Sequence, residues 1–250
     1  MSRRRTRVVY VPPDYPGRAA FVPGATFDPA TLSLTAWWRA NYAGLPWVGT
    51  ASAGNSGTGG THDLSSAAGT PTAGAAQNGF TPADFDGSQR FDGSVLSSYI
   101  TAAAGTIVVL FIADTAAAAA GAPINNPGMV AEGSGYLNLG FSDAGVTAAF
   151  NDGAPKSITA AAAVSSYHLA KMVWNGATLA MAVDSNPTLP TAIACGSLGS
   201  VGPSLRIGKG IAATQFDGRI LEIMMSDTAL SDATFDGIRS YMNTRYALAL

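Results

Sequence analysis

Residues 167–184 read YHLAKMVWNGATLAMAVD, two apolar-rich runs separated by Asn175-Gly176. In the first run Tyr167, Leu169, Lys171 and Val173 face one way, and His168, Ala170, Met172 and Trp174 the other. That is the period of two of a β-strand. Asn175 and Gly176 both tolerate positive φ, which a tight type I′ hairpin requires, so Thr178 to Asp184 is expected to run back beside the first strand. The local architecture is therefore antiparallel β.

Working outward, Thr106 to Phe111 carries β-branched and aromatic residues without clean alternation, which suits a strand in mid-sheet with both faces covered. Gly135–Phe141 and Val146–Phe150 read as a further pair, the second closed by the turn residues Asn151-Asp152-Gly153. LRIG at 205–208 and QFDGRILEIMMSD at 215–227 follow as return strands. Ser231 is placed to cap a helix on which Phe235, Ile238 and Met242 recur at helical spacing, with Tyr241 and Tyr246 widening the apolar stripe. Such a stripe is expected to pack on its own domain. The five alanines from Ala116 to Ala120 are expected to form a loop, since Gly121 and Pro123 close the segment before a helix can nucleate.

Upstream, residues 1–30 read as an extended arm and 31–250 as one domain. Residues 31–48 carry a first strand and the cluster Trp37, Trp38, Tyr42 and Trp47; alternation puts Trp37 and Trp38 on opposite faces of the sheet. Residues 49–79 are rich in Gly, Ser, Thr and Ala and are expected to be a loop lying over the domain or mobile.

The order of these elements resembles the concanavalin A-like lectin and glucanase jelly roll, and within it the laminin G-like domain. ADFDGSQRF followed by TIVVLFIAD looks like the family's early core strands, and YHLAKMVWNGATLAMAVD like its central hairpin. Phe216, Gly218, Ile220 and Glu222 match its f-x-G-x-i-x-E return strand, and ALSDATFDGIRSYMNTRYAL its closing segment. The resemblance runs from about Trp37 to Leu250, with the middle loops matching poorly. It implies two antiparallel sheets with rim loops that in some members hold calcium and glycans. Asp86, Asp92, Asp143 and Asp152 are expected to be turn residues, and no metal site is assigned.

The chain of 250 residues is 47% hydrophobic and 12% charged, with a formal net charge of -2. It is large enough for a substantial core and gives no global reason to bind nucleic acid or an acidic membrane. No stretch approaches the roughly 20 apolar residues needed to cross a bilayer. Val8, Val9, Tyr10 and Val11 stop at Pro12, too short for a secretory signal. The single cysteine, Cys195, excludes an intrachain disulfide and is expected to be a small, half-buried residue.

No catalytic constellation emerges. Glycoside hydrolysis needs two carboxylates about 5–10 Å apart. Catalytic relatives on this fold are similar in placing acids as E-x-D-x-x-E, and Glu222-Ile-Met-Met-Ser-Asp227 lacks the middle one. His62 and His168 are the only histidines, and neither lies in a hydrolase or zinc motif. GSLGSVGPSLRIGKG lacks phosphate-loop spacing, and Lys209 simply sits near a turn.

Two functions remain. Arg3, Arg4, Arg5 and Arg7 open the Pro-bearing arm, either as a solvated tail or as a segment that docks on a partner. Short single-domain chains of this kind, made in a host cytoplasm and released by lysis, resemble bacteriophage virion proteins. The first expectation is thus a non-enzymatic virion structural protein, decorating a capsid or forming a head fibre, held by the arm to capsid or other virion proteins, and homo-oligomeric. The alternative is a glycan-binding module on a tail or head for host attachment, with Trp37 and Trp47 as stacking surfaces for sugar rings.

Overall fold

The computed structural model describes residues 27–50, 62–64, 66–93, 98–114, 128–132, 137–142, 144–185, 191–198, 205–208 and 216–250. The arginine-bearing arm up to residue 26, the alanine run at 116–120, Asp143 and Lys209 lie outside the described residues.

In chain order the strands are β1 (Ala36–Arg39), β2 (Gly49–Thr50), β3 (Ser66–Ala68), β4 (Thr72–Ala73), β5 (Ala83–Asp86), β6 (Arg90–Asp92), β7 (Gly105–Ala113) and β8 (Gly128–Glu132). They continue as β9 (Leu137–Ser142), β10 (Gly145–Asn151), β11 (Pro155–Ala160), β12 (Tyr167–Trp174), β13 (Thr178–Val183), β14 (Ile193–Ala194), β15 (Leu205–Ile207) and β16 (Asp217–Ser226). One helix, α1 (Asp232–Tyr246), closes the chain.

The strands form two antiparallel sheets. The larger runs β14-β13-β12-β7-β16-β1-β2, with β5 also on β16 and β4 on β5; the smaller runs β11-β10-β9-β8-β15-β6-β3. Every residue of β7 is buried, because its two faces meet different partners. Ile107, Val109 and Phe111 point between the sheets, where they join Trp38, Phe141, Phe150, Met172 and Trp174. Val108 and Leu110 point the other way, with Leu169 and Met224, onto the apolar stripe of α1. The alternation read for 167–174 follows this division, Ala170, Met172 and Trp174 facing the second sheet and Leu169 the helix. Trp37 and Trp38 divide the same way.

Helix α1 begins as expected. The Ser231 side chain accepts from the Thr234 amide at 3.2 Å, and Phe235, Ile238, Met242 and Tyr246 are buried against the larger sheet. Lys171, reaching through from β12, donates to Asp232 at 2.6 Å and pins the first turn. Phe27 packs on the helix so closely that a Cβ on Gly237 would stand 2.3 Å from its ring.

Two expectations need correction. Asn175 does not take positive φ; only Gly176 does, at 78°. The last directly paired residues are Trp174 and Leu179, so the hairpin turns through four residues. Asn175 contributes its side chain instead, Oδ1 accepting from the Ala177 and Thr178 amides at 3.0 and 2.8 Å. The segment 49–79 is also more than loop. It contributes β2, β3 and β4 as short edge strands, and Leu64 is fully buried through a backbone bridge to Trp47. Short edge strands carry too few residues for alternation to show.

Ile238→Ala removes a fully buried side chain between α1 and the sheet and is expected to cost about 2–5 kcal/mol. Ser240→Ala, on the exposed face of the same helix, should change stability by less than about 0.5 kcal/mol. Urea denaturation of both variants checks that the stripe, not helix propensity, holds α1 in place.

Candidate functional site

Past Arg39 the chain leaves β1, loops through 40–48 and returns as β2. The loop is held from below. The Asn41 and Tyr42 amides both donate to the Thr81 carbonyl, at 2.7 and 3.0 Å, and the Tyr42 hydroxyl donates to the Pro71 carbonyl at 3.0 Å. Trp47 and Leu64 exchange backbone hydrogen bonds at 3.1 and 3.0 Å. Asn41 and Gly44 take φ of 100° and 118°, which bends the loop outward. Between this loop and the last turn of α1 lies an open cleft of about 580 Å³, lined among others by Arg39, Asn41, Ala43, Leu45, Val48 and Arg245. Leu45 and Val48 are two of the few large apolar side chains exposed among the described residues.

The cleft's two charged side chains are both arginines, and each is braced on an aromatic face. The Arg39 guanidinium stands 4.5 Å over the Trp37 ring, and that of Arg245 stands 4.0 Å over Phe80. Arg245 Nε also donates to the Tyr246 hydroxyl at 3.2 Å.

Beneath them sits Glu222, with no solvent exposure. The register of β16 against β7 shifts between Ile220 and Glu222, a bulge that puts Leu221 and Glu222 together on the helix side. The carboxylate accepts from Trp37 Nε1 on β1 and from the Tyr246 hydroxyl on α1, both at 2.5 Å, with Arg245 Nε 3.8 Å away. Burial pushes its pKa up to about 7, against the downward pull of the Tyr246 and Trp37 hydrogen bonds and of Arg245 and Arg39. Sealed from solvent, this acid ties three elements together and is out of reach of a substrate.

Trp37 and Trp47 do not offer stacking surfaces. They are only 5% and 3% exposed. Trp37 is covered by Arg39 and by the edge of Tyr241, with ring centroids 6.2 Å apart. Trp47 lines the cleft, but its ring is packed against Tyr42 and Phe91, and its Nε1 donates to the Arg39 carbonyl at 2.9 Å. Both indoles hold up the cleft from behind. Arg39 and Arg245, which form its charged wall, carried no signal in the sequence, since an isolated arginine at the end of a strand or helix marks nothing.

The remaining candidates have local partners. His168 uses both ring nitrogens, one with Asp184 at 2.7 Å and the other with the Ala163 carbonyl at 2.8 Å. Burial opposes its charge, but those bonds and the Asp184 charge outweigh it and raise the pKa. Cys195 is buried, with its pKa raised by burial. Asp86 and Asp152 serve turns through the Ser88 and Ala154 amides, but Asp92 belongs to β6 and pairs with Arg90 and Arg206. A strand acid flanked by two arginines gives no turn signal, and its spacing from Gly93 misled. Among the described residues no three His, Cys, Asp or Glu side chains gather to hold a metal ion, so the calcium implied by the resemblance finds no ligand cluster there. No described helix is long and apolar enough to cross a membrane.

No protein-family model matches the chain, and no curated protein matches it by sequence. Solved structures match by shape. Domain 4 of AbnA, a GH43 extracellular arabinanase from Geobacillus stearothermophilus solved with arabinotriose, superposes with a TM-score of 0.54 at 9% identity. The match covers 84% of this chain and 97% of that domain. Trypanosoma rangeli sialidase with the inhibitor DANA gives 0.53 at 13% identity, over 88% of this chain and 34% of the sialidase. Botulinum neurotoxin type C, whose passage into cells depends upon interaction with two ganglioside molecules, gives 0.50 at 11% identity, over 74% of this chain and 49% of the other. This chain therefore spans about a third of the sialidase and half of the neurotoxin chain. The likeness bears on the fold alone, the antiparallel two-sheet β-sandwich described above.

Glu222 sets a pH dependence of stability. Its ordinary pKa is 4.5 and its folded value about 7, so the folded state holds the proton that the unfolded chain releases. The stabilisation is complete below about 4.5 and is lost as pH rises through about 7, a swing of roughly 3 kcal/mol. His168, also raised, contributes with the same sign. Urea unfolding from pH 4.5 to 8 should show stability falling, and Glu222→Gln should flatten the slope; an unchanged slope in that variant would place the titration elsewhere.

Proposed function

We propose that this chain is a non-enzymatic carbohydrate-binding module that holds a glycan in the cleft between the 40–48 loop and the end of α1. The observation that carries the reading is the cleft itself. It combines exposed apolar groups, Leu45 and Val48, on a loop whose backbone is anchored before any ligand arrives, with hydrogen-bond donors near the ends of β1 and α1, Arg39 and Arg245. A sugar presents the matching chemistry, C–H faces and hydroxyl acceptors, and a preformed site lowers the ordering cost of binding. The arabinanase domain solved with arabinotriose and the neurotoxin that interacts with gangliosides support the reading, as sandwiches of this shape engaged with glycans. Among the described residues the lining includes no Asp or Glu, whereas glycosidic cleavage by the usual route needs two carboxylates at the bond. The cleft is therefore equipped to hold a glycan rather than to cut it.

The virion setting is the one the sequence resemblance implies, with the module displayed toward a host surface. Peptide mass spectrometry of purified extracellular particles is then expected to find the chain at a fixed ratio to the major shell protein, and its absence would remove that setting.

Ala43→Trp puts a large side chain into the cleft from an exposed lining position and keeps both arginines. On a broad glycan array the wild-type chain should show saturable binding to a defined subset, and the variant should lose at least about tenfold in affinity at an unchanged melting temperature. Equal binding by the variant would move the site away from this cleft.

A further inference from the structure

We infer that the cleft selects glycans carrying an anionic group, a carboxylate or a sulfate ester, which Arg39 and Arg245 grip. The inference rests on the reading of the cleft as the glycan site. The chain as a whole is slightly negative, with a formal net charge of -2, yet among the described residues the charged side chains lining the cleft are two arginines. A guanidinium is matched in the plane by a carboxylate or sulfate, to which it gives two parallel hydrogen bonds.

Three features set these arginines apart from ordinary surface charges. Arg39 is exposed, and among the described residues no carboxylate pairs with it. The other described arginines are ion-paired: Arg90 and Arg206 share Asp92, Arg219 pairs with Asp114, and Arg239 with Asp236. Arg245 spends Nε on the Tyr246 hydroxyl, and its two terminal nitrogens bond no acceptor among the described residues. Each guanidinium also stands over an aromatic ring, Trp37 and Phe80, a contact that restrains the side chain before a ligand arrives and reduces the entropy lost on binding. The one acid nearby, Glu222, has its oxygens committed to Trp37 and Tyr246 in the interior, so it anchors the platform without occupying the open ends of the arginines. Leu45 and Val48 supply the apolar rim for the rest of the ring.

The test is an array of acidic glycans, including uronic, sialic and sulfated sugars, printed beside the same glycans with carboxylates reduced to alcohols or sulfates removed. Binding by the full chain should be confined to the acidic members and fall at least about tenfold on reduction or desulfation, the worth of one charged hydrogen-bonded pair. Whichever set is retained identifies the anion. Arg39→Gln, which breaks no ion pair among the described residues, should show the same loss, its melting temperature moving by no more than the few degrees that the lost contact with Trp37 accounts for. Arg245→Gln should follow it, with its melting temperature read separately because the Tyr246 bond goes too. Neutral counterparts bound within about twofold of the acidic ones would overturn the inference while leaving the module reading intact. No binding to any glycan by folded wild-type protein would overturn both.

Discussion

Everything in this structure follows from the β7–β16 pair having no polar face. The two long strands are hydrogen-bonded along most of their length; β7 is buried throughout and apolar but for Thr106, and β16 is buried from Ile220 to Ser226, with Ile220, Leu221, Ile223, Met224 and Met225 apolar. A sheet whose central strands are apolar on both sides must be covered twice. The second sheet covers one side through Trp38, Phe111, Phe141 and Met172; α1 covers the other through Phe235, Ile238 and Met242. The helix is thus part of the core rather than an appendage, and Lys171 with Asp232 at one end and Glu222 with Tyr246 at the other fix where it lies.

That second covering creates the site. The bulge in β16 turns Glu222 toward the helix, where the acid links Trp37 of β1 to Tyr246 of α1. A fully buried carboxylate is expensive unless its oxygens are bonded, and this one is. In joining those elements it also brings the end of β1 against the end of α1, and Arg39 and Arg245 are the residues found at those two ends. The aromatic residues around them, Trp37, Phe80 and Tyr246, serve as bracing rather than as binding faces.

The shared shape with the arabinanase domain, the sialidase and the neurotoxin, at 9–13% identity, is a likeness of fold alone. A sandwich hosts many functions, so the functional reading here stands on the cleft's own groups. Among the described residues those groups are two open-ended arginines, each over an aromatic ring, with an apolar rim, and they argue for recognition by charge as well as by shape.

The elements long enough to show a period were legible in the sequence. β12 and α1 appear with the faces read for them, β7 is covered on both faces as read, β16 is a strand as read, and Trp37 and Trp38 divide across the sheet as alternation demands, because side-chain direction in a strand or helix is a local property of the backbone. What depended on distant partners was not. The short strands β2, β3 and β4 exist only because longer neighbours pair with them, and the turn at Asn175 is settled by side-chain bonds rather than by φ. Alternation established that Trp37 and Trp38 face opposite ways; only the tertiary structure decided that Trp38 is the one between the sheets, that Arg39 and Tyr241 cover Trp37 and that Trp47 is packed behind the loop. The sequence by itself determined a two-sheet β fold with a packed terminal helix. The cleft was decided by tertiary structure alone, because its two arginines lie near opposite ends of the described chain and meet only through the packing of α1 on the central sheet.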